Sequence, residues 1–360
     1  MKTILIGTSN FGSPVSDYFK ELGKEFIENE YRIIFIFDGL VKKLPANTNQ
    51  QLYFTWPSKR PTKIKDFVFL IKIIKKYQPI LCLSNFSSTN VISIVSFLFK
   101  VKYRINYIHT TSKAIENDSQ NILRTRLLRY RKIIVLKLNN YFFTNSEGTK
   151  RDAISTYFLN KTHTYVFPLL LKDNDSSYIP LINRKFNLLI VGGLTPTKGH
   201  KQLFYQLSNC LEKYPNLKLQ VIGSGILKQN LINLTKELKI DNNIEFIGNL
   251  PNHEVQSYFA NAIISISSSL DEAYGLVNIE ALRAGTPLVC TKTAGSLDIL
   301  KEGFNGEYFD HKNEHSLCES ISKVIENWEQ YSENSLRTFK NYYSMDSKIQ
   351  QHKNKIIELL

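Results

Sequence analysis

The chain is poor in cysteine, and its four residues of that type, Cys82, Cys210, Cys290 and Cys318, lie far apart with no CxxC pair. Such spacing excludes a zinc finger and a disulfide framework, and it fits reduced thiols in a reducing compartment. The seven histidines form no HExxH or HxH pattern, so no metal site and no cofactor are expected. Long apolar runs are missing as well. The most membrane-like stretch, Val91 to Phe99, has nine residues, well short of the ~20 needed to span a bilayer. The opening MKTILIG reads as a strand and not as a secretion signal. These absences lead to the expectation of a cytoplasmic protein. Glycine (16) and proline (11) are too few for a low-complexity or collagen-like chain.

What the chain does have is core material. Hydrophobic residues make up 42% of 360, with 22 Phe and 19 Tyr, enough to fill about two domains. Charge is placed unevenly. Residues 1–180 hold 27 Lys and Arg against 13 Asp and Glu, whereas residues 181–360 hold 19 against 19. The whole net charge of +14 therefore sits in the first half, as in proteins whose one half faces a polyanion or an anionic membrane. The densest basic patch is Arg124, Arg126, Arg129, Arg131, Lys132 and Lys137, where Leu123, Leu127, Tyr130, Ile134 and Leu138 recur at three- and four-residue steps. That pattern predicts a basic amphipathic helix. Three readings of it stay open: a solvated face over an ordinary core stripe, attachment to acidic lipid, and nucleic-acid binding. No nucleic-acid recognition motif accompanies it, so no nucleic-acid partner is expected.

Short apolar runs alternate with helical patterns along the whole chain. The strand-like runs are Thr3–Gly7, Arg32–Phe37, Ile80–Leu83, Arg104–His109, Tyr141–Asn145 and Tyr165–Phe167, then Phe186–Val191, Leu217–Ile222, Ile244–Ile247, Ala262–Ile266, Leu288–Cys290 and Gly306–Phe309. Helices are expected at Pro14–Leu22, Lys63–Lys76, Lys201–Tyr214, Leu227–Leu238, His253–Ala260, Ser316–Asn327 and across Ser335–Leu360. Ser13-Pro14 is a good helix start, a capping hydroxyl followed by proline in the first turn. Such alternation predicts an α/β protein of two doubly wound parallel sheets, one over residues 1–175 and one over 185–339. The polar break at Lys172–Tyr178 begins an expected linker over about 172–184.

The most informative segment is SSSLDEAYGLVNIEALRAGTPLVCT, Ser267 to Thr291. An apolar strand runs into a polar turn, and helical spacing then continues until Gly285 and Pro287 stop it. Glu272 lies on the loop and Glu280 in the first turns of the helix, so two carboxylates flank a helix start near Tyr274–Val277. A helix N-terminus offers unpaired N–H groups and partial positive charge, which suit phosphate. A carboxylate accepts two hydroxyl hydrogen bonds and suits a sugar or ribose diol. An ordinary acidic first turn, stabilised by the helix dipole, is the plain alternative.

The segment resembles the signature of the retaining nucleotide-sugar glycosyltransferases of GT-B fold known as glycosyltransferase family 4: two glutamates eight apart, then Ala, Gly and Pro, here Glu272, Glu280, Ala281, Gly285 and Pro287. LIVGGLTPTKG (Leu189–Gly199), VIGSG (Val221–Gly225) and IEFIG (Ile244–Gly248) follow the family's order. The resemblance is close over residues 186–310 and holds in outline over 1–170.

The resemblance implies two facing domains, the first for the acceptor and the second for the donor, with the last helix, 340–360, joining the first domain. It implies metal-independent transfer of a hexose from a UDP- or GDP-sugar to a hydroxyl. Glu280 would hold the ribose, Glu272 the transferred sugar, and the amides around Tyr274, Gly275, Leu276 and Val277 the sugar and phosphate. Lys198 would neutralise the leaving diphosphate, a role that a point cation beside a phosphate can fill on general grounds. Gly193, Gly223 and Gly225 would approach the donor, and Gly248 and Asn249 would line the base pocket. In the first half Gly12 matches the family's glycine-rich loop and His109 its strand-end histidine, near donor or acceptor. Gly193 stands where the family commonly has arginine, so His200, Lys201 or a basic residue of the first half would share the phosphate. The basic first half adds Arg124, Arg126, Arg129, Arg131 and Lys132 as membrane-facing candidates, and with them a lipid-linked glycan acceptor of bacterial surface polysaccharide synthesis at the inner membrane face. A nucleotide-sugar-binding protein of the same fold with weak or no catalysis is the alternative.

Overall fold

The computed structural model describes residues 1–39, 44–113, 122–173 and 179–360, and of residues 122–124 the backbone alone. The chain divides into two compact units, residues 1–172 with 345–360 and residues 173–344.

Unit 1 alternates strands β1 (Thr3–Thr8), β2 (Arg32–Phe37), β3 (Gln51–Thr55), β4 (Leu81–Asn85), β5 (Tyr103–Ile108), β6 (Tyr141–Thr144) and β7 (Thr164–Val166) with helices α1 (Pro14–Ile27), α2 (Ile64–Tyr77), α3 (Thr89–Leu98), α4 (Ile122–Leu136) and α5 (Glu147–Tyr157). All strands pair in parallel, in the order β3-β2-β1-β4-β5-β6-β7. Residues Ile33 to Phe37 of β2 and Ile4 to Ile6 of β1 are at most 1% exposed, as in sheets covered on both faces. Each such side chain contributes roughly 1.5–3 kcal/mol by leaving water. Helix α1 starts as its sequence dictates: the Ser13 hydroxyl accepts from the Ser16 amide at 3.1 Å, and Pro14 opens the first turn.

Strand β3 is absent from the sequence expectation. Its five residues are all half-buried at the sheet edge, so it lacks the wholly apolar run that marks its neighbours.

Unit 2 contains β8 (Asn187–Val191), α6 (His200–Lys213), β9 (Lys218–Ile222), α7 (Lys228–Glu237), β10 (Ile244–Gly248), α8 (Asn252–Asn261), β11 (Ile264–Ser267), α9 (Leu276–Arg283), β12 (Leu288–Cys290), α10 (Ser296–Ile299), β13 (Gly306–Tyr308), α11 (Ser316–Glu326) and α12 (Trp328–Thr338). The sheet is parallel, in the order β10-β9-β8-β11-β12-β13. Of the expected linker, residues 174–178 lie outside the described ones. Arg184 at its end is buried and donates to the carbonyls of Ile179, Ala262 and Ala284 and to the Thr286 hydroxyl, at 2.7–2.9 Å, pinning the entry to β8.

The helix expected over Ser335–Leu360 is not continuous. A π-helical turn, Phe339–Tyr343, follows α12, Ser344 is extended, and α13 (Met345–Leu359) begins anew. Helix α13 belongs to unit 1, where the Tyr18 hydroxyl of α1 meets His352 Nδ1 at 2.8 Å and Ile349 and Ile356 are buried. This is the GT-B architecture, two doubly wound parallel sheets in one chain.

Candidate functional site

In an open parallel sheet the strand order reverses at one place, and ligands bind outside the carboxyl ends of the strands there. In unit 2 that place lies between β8 and β11, which pair through Leu188 and Leu189. The loop after β8 carries Gly192, Gly193, a 3-10 turn at Pro196–Lys198 and Gly199 at φ +66°. The loop after β11 carries Ser267 to Gly275 and ends in α9. The two loops are tied together: the Leu270 amide donates to the Thr197 carbonyl and the Ser268 hydroxyl to the Lys198 carbonyl, at 2.8 and 2.7 Å. A side chain at 199 would meet the Ser268 carbonyl at 2.0 Å, so only glycine allows this approach.

Between the loops lies a small pocket bordered by Gly192, Lys198, His200, Glu272, Gly275, Val277 and Asn278, among others. Lys198 Nζ donates to Glu272 Oε2, and the two side chains are 30% and 23% exposed. Gly275, at φ +85°, caps α9 and aims the helix start into the pocket. His200 is buried, and neither ring nitrogen has a hydrogen-bond partner among the described residues. Burial, helped by the Lys198 charge, pushes its pKa down to about 4, so the ring is neutral at pH 7. Asn278, which the sequence reading passed over, is 1% exposed, and its Nδ2 has no hydrogen-bond partner among the described residues. Its position in the turn before Glu280 was the available signal.

The structure thus gathers Lys198, Glu272, Gly275 and Val277 of the expected residues. Glu280 stands one turn into α9 and does not border the pocket. Burial lifts its carboxyl to about 7, with Arg283 acting in the opposite direction. Gly223 and Gly225 act behind the pocket: side chains there would meet the Gly192 carbonyl at 1.9 Å and the Leu194 carbonyl at 2.4 Å. They let the turn after β9 brace the loop after β8. Gly193 packs beside Thr195 and the Ser224 carbonyl. Tyr274 is buried, and its backbone sits where a side chain at Gly295 would go. Leu276 is the first residue of α9, while Gly248 ends β10 with open space above it and Asn249 is exposed. Of the substitutes for the missing arginine that lie in unit 2, His200 borders the pocket and Lys201 is exposed.

Unit 1 reverses its strand order between β1 and β4. Gly12, at φ +82°, lies in the open loop after β1. His109 follows β5, with its ring between Phe86 and Tyr107, centroids 4.1 and 4.3 Å away and planes within 3°. Burial pushes its pKa down to about 3, and its buried Nε2 has no hydrogen-bond partner among the described residues. A neutral imidazole with a free nitrogen can orient a hydroxyl. The ring borders a cavity of about 350 Å³ formed with Arg60, Phe86, Arg129, Arg131 and Lys132 among others. Arg60 was absent from the sequence expectation.

The basic helix forms as α4, but with its apolar stripe turned outward. Leu127, Tyr130 and Ile134 are 71%, 65% and 64% exposed, while Val135 and Leu136 point into the core. Arg126, Arg129 and Arg131 are exposed and Lys132 is half-buried; the Arg124 side chain lies outside the described ones. The reading of that stripe as an ordinary core face is therefore corrected. No helix among the described residues is long and apolar enough to cross a membrane.

Residues 173–341 match the family model of glycosyl transferases group 1. They make up just under half of the chain. An uncharacterized glycosyltransferase of Methanocaldococcus jannaschii is 30% identical over 141 residues, 39% of this chain and 36% of that protein. The chain spans between 34% and 60% of the length of the first curated relatives it matches. Among solved structures, sucrose-phosphate synthase from Thermosynechococcus elongatus superposes with a TM-score of 0.78 at 14% identity, covering 100% of this chain and 99% of the other. Anabaena HepE in complex with UDP and glucose gives 0.76 at 16% identity, with 100% of both chains covered. The group 1 match coincides with the unit that holds the Lys198–Glu272 pocket.

Proposed function

We propose that the chain is a retaining hexosyltransferase that moves a sugar from a UDP- or GDP-sugar to a hydroxyl of a glycan acceptor. The observation that carries this reading is the pocket at the β8–β11 reversal, where Lys198, Glu272 and the capped start of α9 converge. Phosphate oxygens take hydrogen bonds from the free amides of α9, Lys198 answers the charge that grows on the departing diphosphate, and Glu272 holds hydroxyls of the sugar. Glu280 serves the ribose. The bond from the anomeric carbon to the diphosphate breaks, and the bond to the acceptor oxygen forms on the same face. The acceptor proton passes to the diphosphate. Protein cations and the helix dipole stand where a divalent ion would otherwise act, so a chelator leaves transfer intact; loss of activity restored by magnesium would overturn that part.

The acceptor is a lipid-linked glycan of surface polysaccharide synthesis at the inner face of the cytoplasmic membrane. The exposed Leu127, Tyr130 and Ile134 with their flanking arginines support this, as does the exposed Phe97-Leu98-Phe99 end of α3. Apolar side chains set among cations suit an anionic lipid surface.

The test is a melting panel of UDP-, GDP- and ADP-sugars followed by a transfer assay. Selective stabilisation by one nucleotide class is expected, and no stabilisation by any would refute the donor assignment. Gly193 in place of arginine favours a second reading, a nucleotide-sugar-binding protein without transfer. It predicts stabilisation by a nucleotide sugar but no product with any acceptor.

A further inference from the structure

The cavity of unit 1 has a charge pattern that the donor chemistry does not use. Arg60, after β3, borders it together with Arg129, Arg131 and Lys132 of α4, and among the described residues no carboxylate lines it. Arg60, Arg129 and Arg131 are exposed, and none of the four is in a salt bridge among the described residues. Arg129 reaches the Thr156 carbonyl at 3.4 Å. Lys132 donates to the Tyr157 hydroxyl at 3.1 Å and lies 4.4 Å from that ring's centre. Asp152 is near Lys132, but its oxygens take the Ser112 amide and hydroxyl at 2.7 and 2.5 Å. Four cations around one opening repel each other until an anion joins them.

Two stacked aromatic rings, Phe86 and His109, also line the cavity. The Phe86 ring lies parallel on His109 and is 41% exposed. Its backbone is held at φ +49°, in the left-handed region. A bulky residue takes that conformation only when its surroundings impose it, and such positions cluster at ligand sites. An exposed ring offers a stacking surface to the C–H face of a sugar or to an apolar chain. The cavity volume of about 350 Å³ is in the range of small-molecule sites, roughly 300–1,000 Å³.

We propose that this cavity binds the acceptor through a phosphate group seated among Arg60, Arg129, Arg131 and Lys132, with the uncharged part of the acceptor laid on the Phe86 ring. The proposal rests on the reading of the chain as a glycosyltransferase with its acceptor in unit 1. Phosphate fits better than carboxylate. Three planar guanidinium forks and an ammonium match an anion with several acceptor oxygens, whereas a carboxylate occupies a single fork.

The phosphate has two sources, a free sugar phosphate or a lipid phosphate, and titration calorimetry of the full chain separates them. Glucose 1-phosphate and geranyl phosphate are the probes, with methyl glucoside and geraniol as their neutral counterparts. Each titration is run with and without the nucleotide selected by the melting panel. At least one phosphate probe is expected to bind about tenfold more tightly than its neutral counterpart. Which probe binds identifies the source. The double variant Arg60→Gln/Arg131→Gln alters two exposed side chains, so its melting temperature checks that it folds. It is expected to weaken the phosphate probe by about tenfold or more, and to leave nucleotide binding unchanged. Equal affinity for neutral and phosphorylated probes overturns the proposal. So does an unchanged affinity in the double variant, a parallel loss of nucleotide binding, or failure of both phosphate probes to bind at millimolar concentration. Failure of every nucleotide in the panel strikes the donor reading instead, and the phosphate titrations still read this cavity.

Discussion

Replacing Lys198 by alanine separates a chemical role from a structural one. The ammonium is bonded to Glu272, and both side chains are partly wet, 30% and 23% exposed. An ion pair in that setting contributes at most about 1 kcal/mol to folding, and for a unit of this size its loss lowers Tm by about 2–4 °C. The chemical loss is larger. A hydrogen bond from a charged donor to the departing diphosphate is worth about 1.5–3 kcal/mol, which corresponds to a drop in turnover of roughly ten- to a hundred-and-fifty-fold. Steady-state transfer kinetics and a thermal melt on the same preparation read both quantities. Lys198→Ala should lose at least about tenfold in kcat, with the melt nearly unmoved. A kcat within about twofold of the parent would refute the role of Lys198 in departure of the diphosphate. A collapse of Tm by more than about 10 °C would show instead that the pair holds the loops together.

Glu280 gives a pH signature. Its pKa is raised by burial to about 7 from an ordinary 4.5, so its contribution to stability is fully present below 4.5 and is lost as pH rises through about 7. Glu280→Gln should flatten that part of the stability–pH curve, and donor affinity should rise through about pH 7 in the parent only; parallel curves in both proteins would refute this. Replacing Leu127 and Ile134 with asparagine should weaken sedimentation with anionic vesicles by about tenfold at low salt, and unchanged sedimentation would refute the membrane face. Gly223→Ala should cost about 2 kcal/mol or more, because the new carbon meets the Gly192 carbonyl, whereas Gly12→Ala, with open space around it, should cost only the ~1–2 kcal/mol of a left-handed residue; the two melts compare them.

The parallel sheets were legible because their central strands are unbroken apolar runs, as in Ile33–Phe37 and Leu188–Ile190, where burial on both faces leaves no other choice of residue. Strand β3 was not, because an edge strand of half-buried Gln, Leu, Tyr, Phe and Thr carries no such run. The Lys198–Glu272 pocket was legible because its residues follow two strands that meet at the sheet's reversal. The unit 1 cavity was not, since Arg60, Phe86, His109 and Arg129 come from four separate segments, and only the fold brings them together. Helix α4 shows a different limit. Its three- and four-residue spacing marked an apolar stripe correctly, but periodicity does not say whether such a stripe turns toward core or solvent. Val135 and Leu136, nearer the end of the helix, took the inner position.

Helix α13 has a consequence for biosynthesis. A ribosome emits residues in order, and domains generally fold as they emerge. The first unit cannot follow that rule to completion, because the surface of α1 around Tyr18 waits for a segment translated after the entire second unit. The nascent first unit therefore spends that interval with the flank of α1 around Tyr18 uncovered, and its closure is coupled to the finished synthesis of its neighbour.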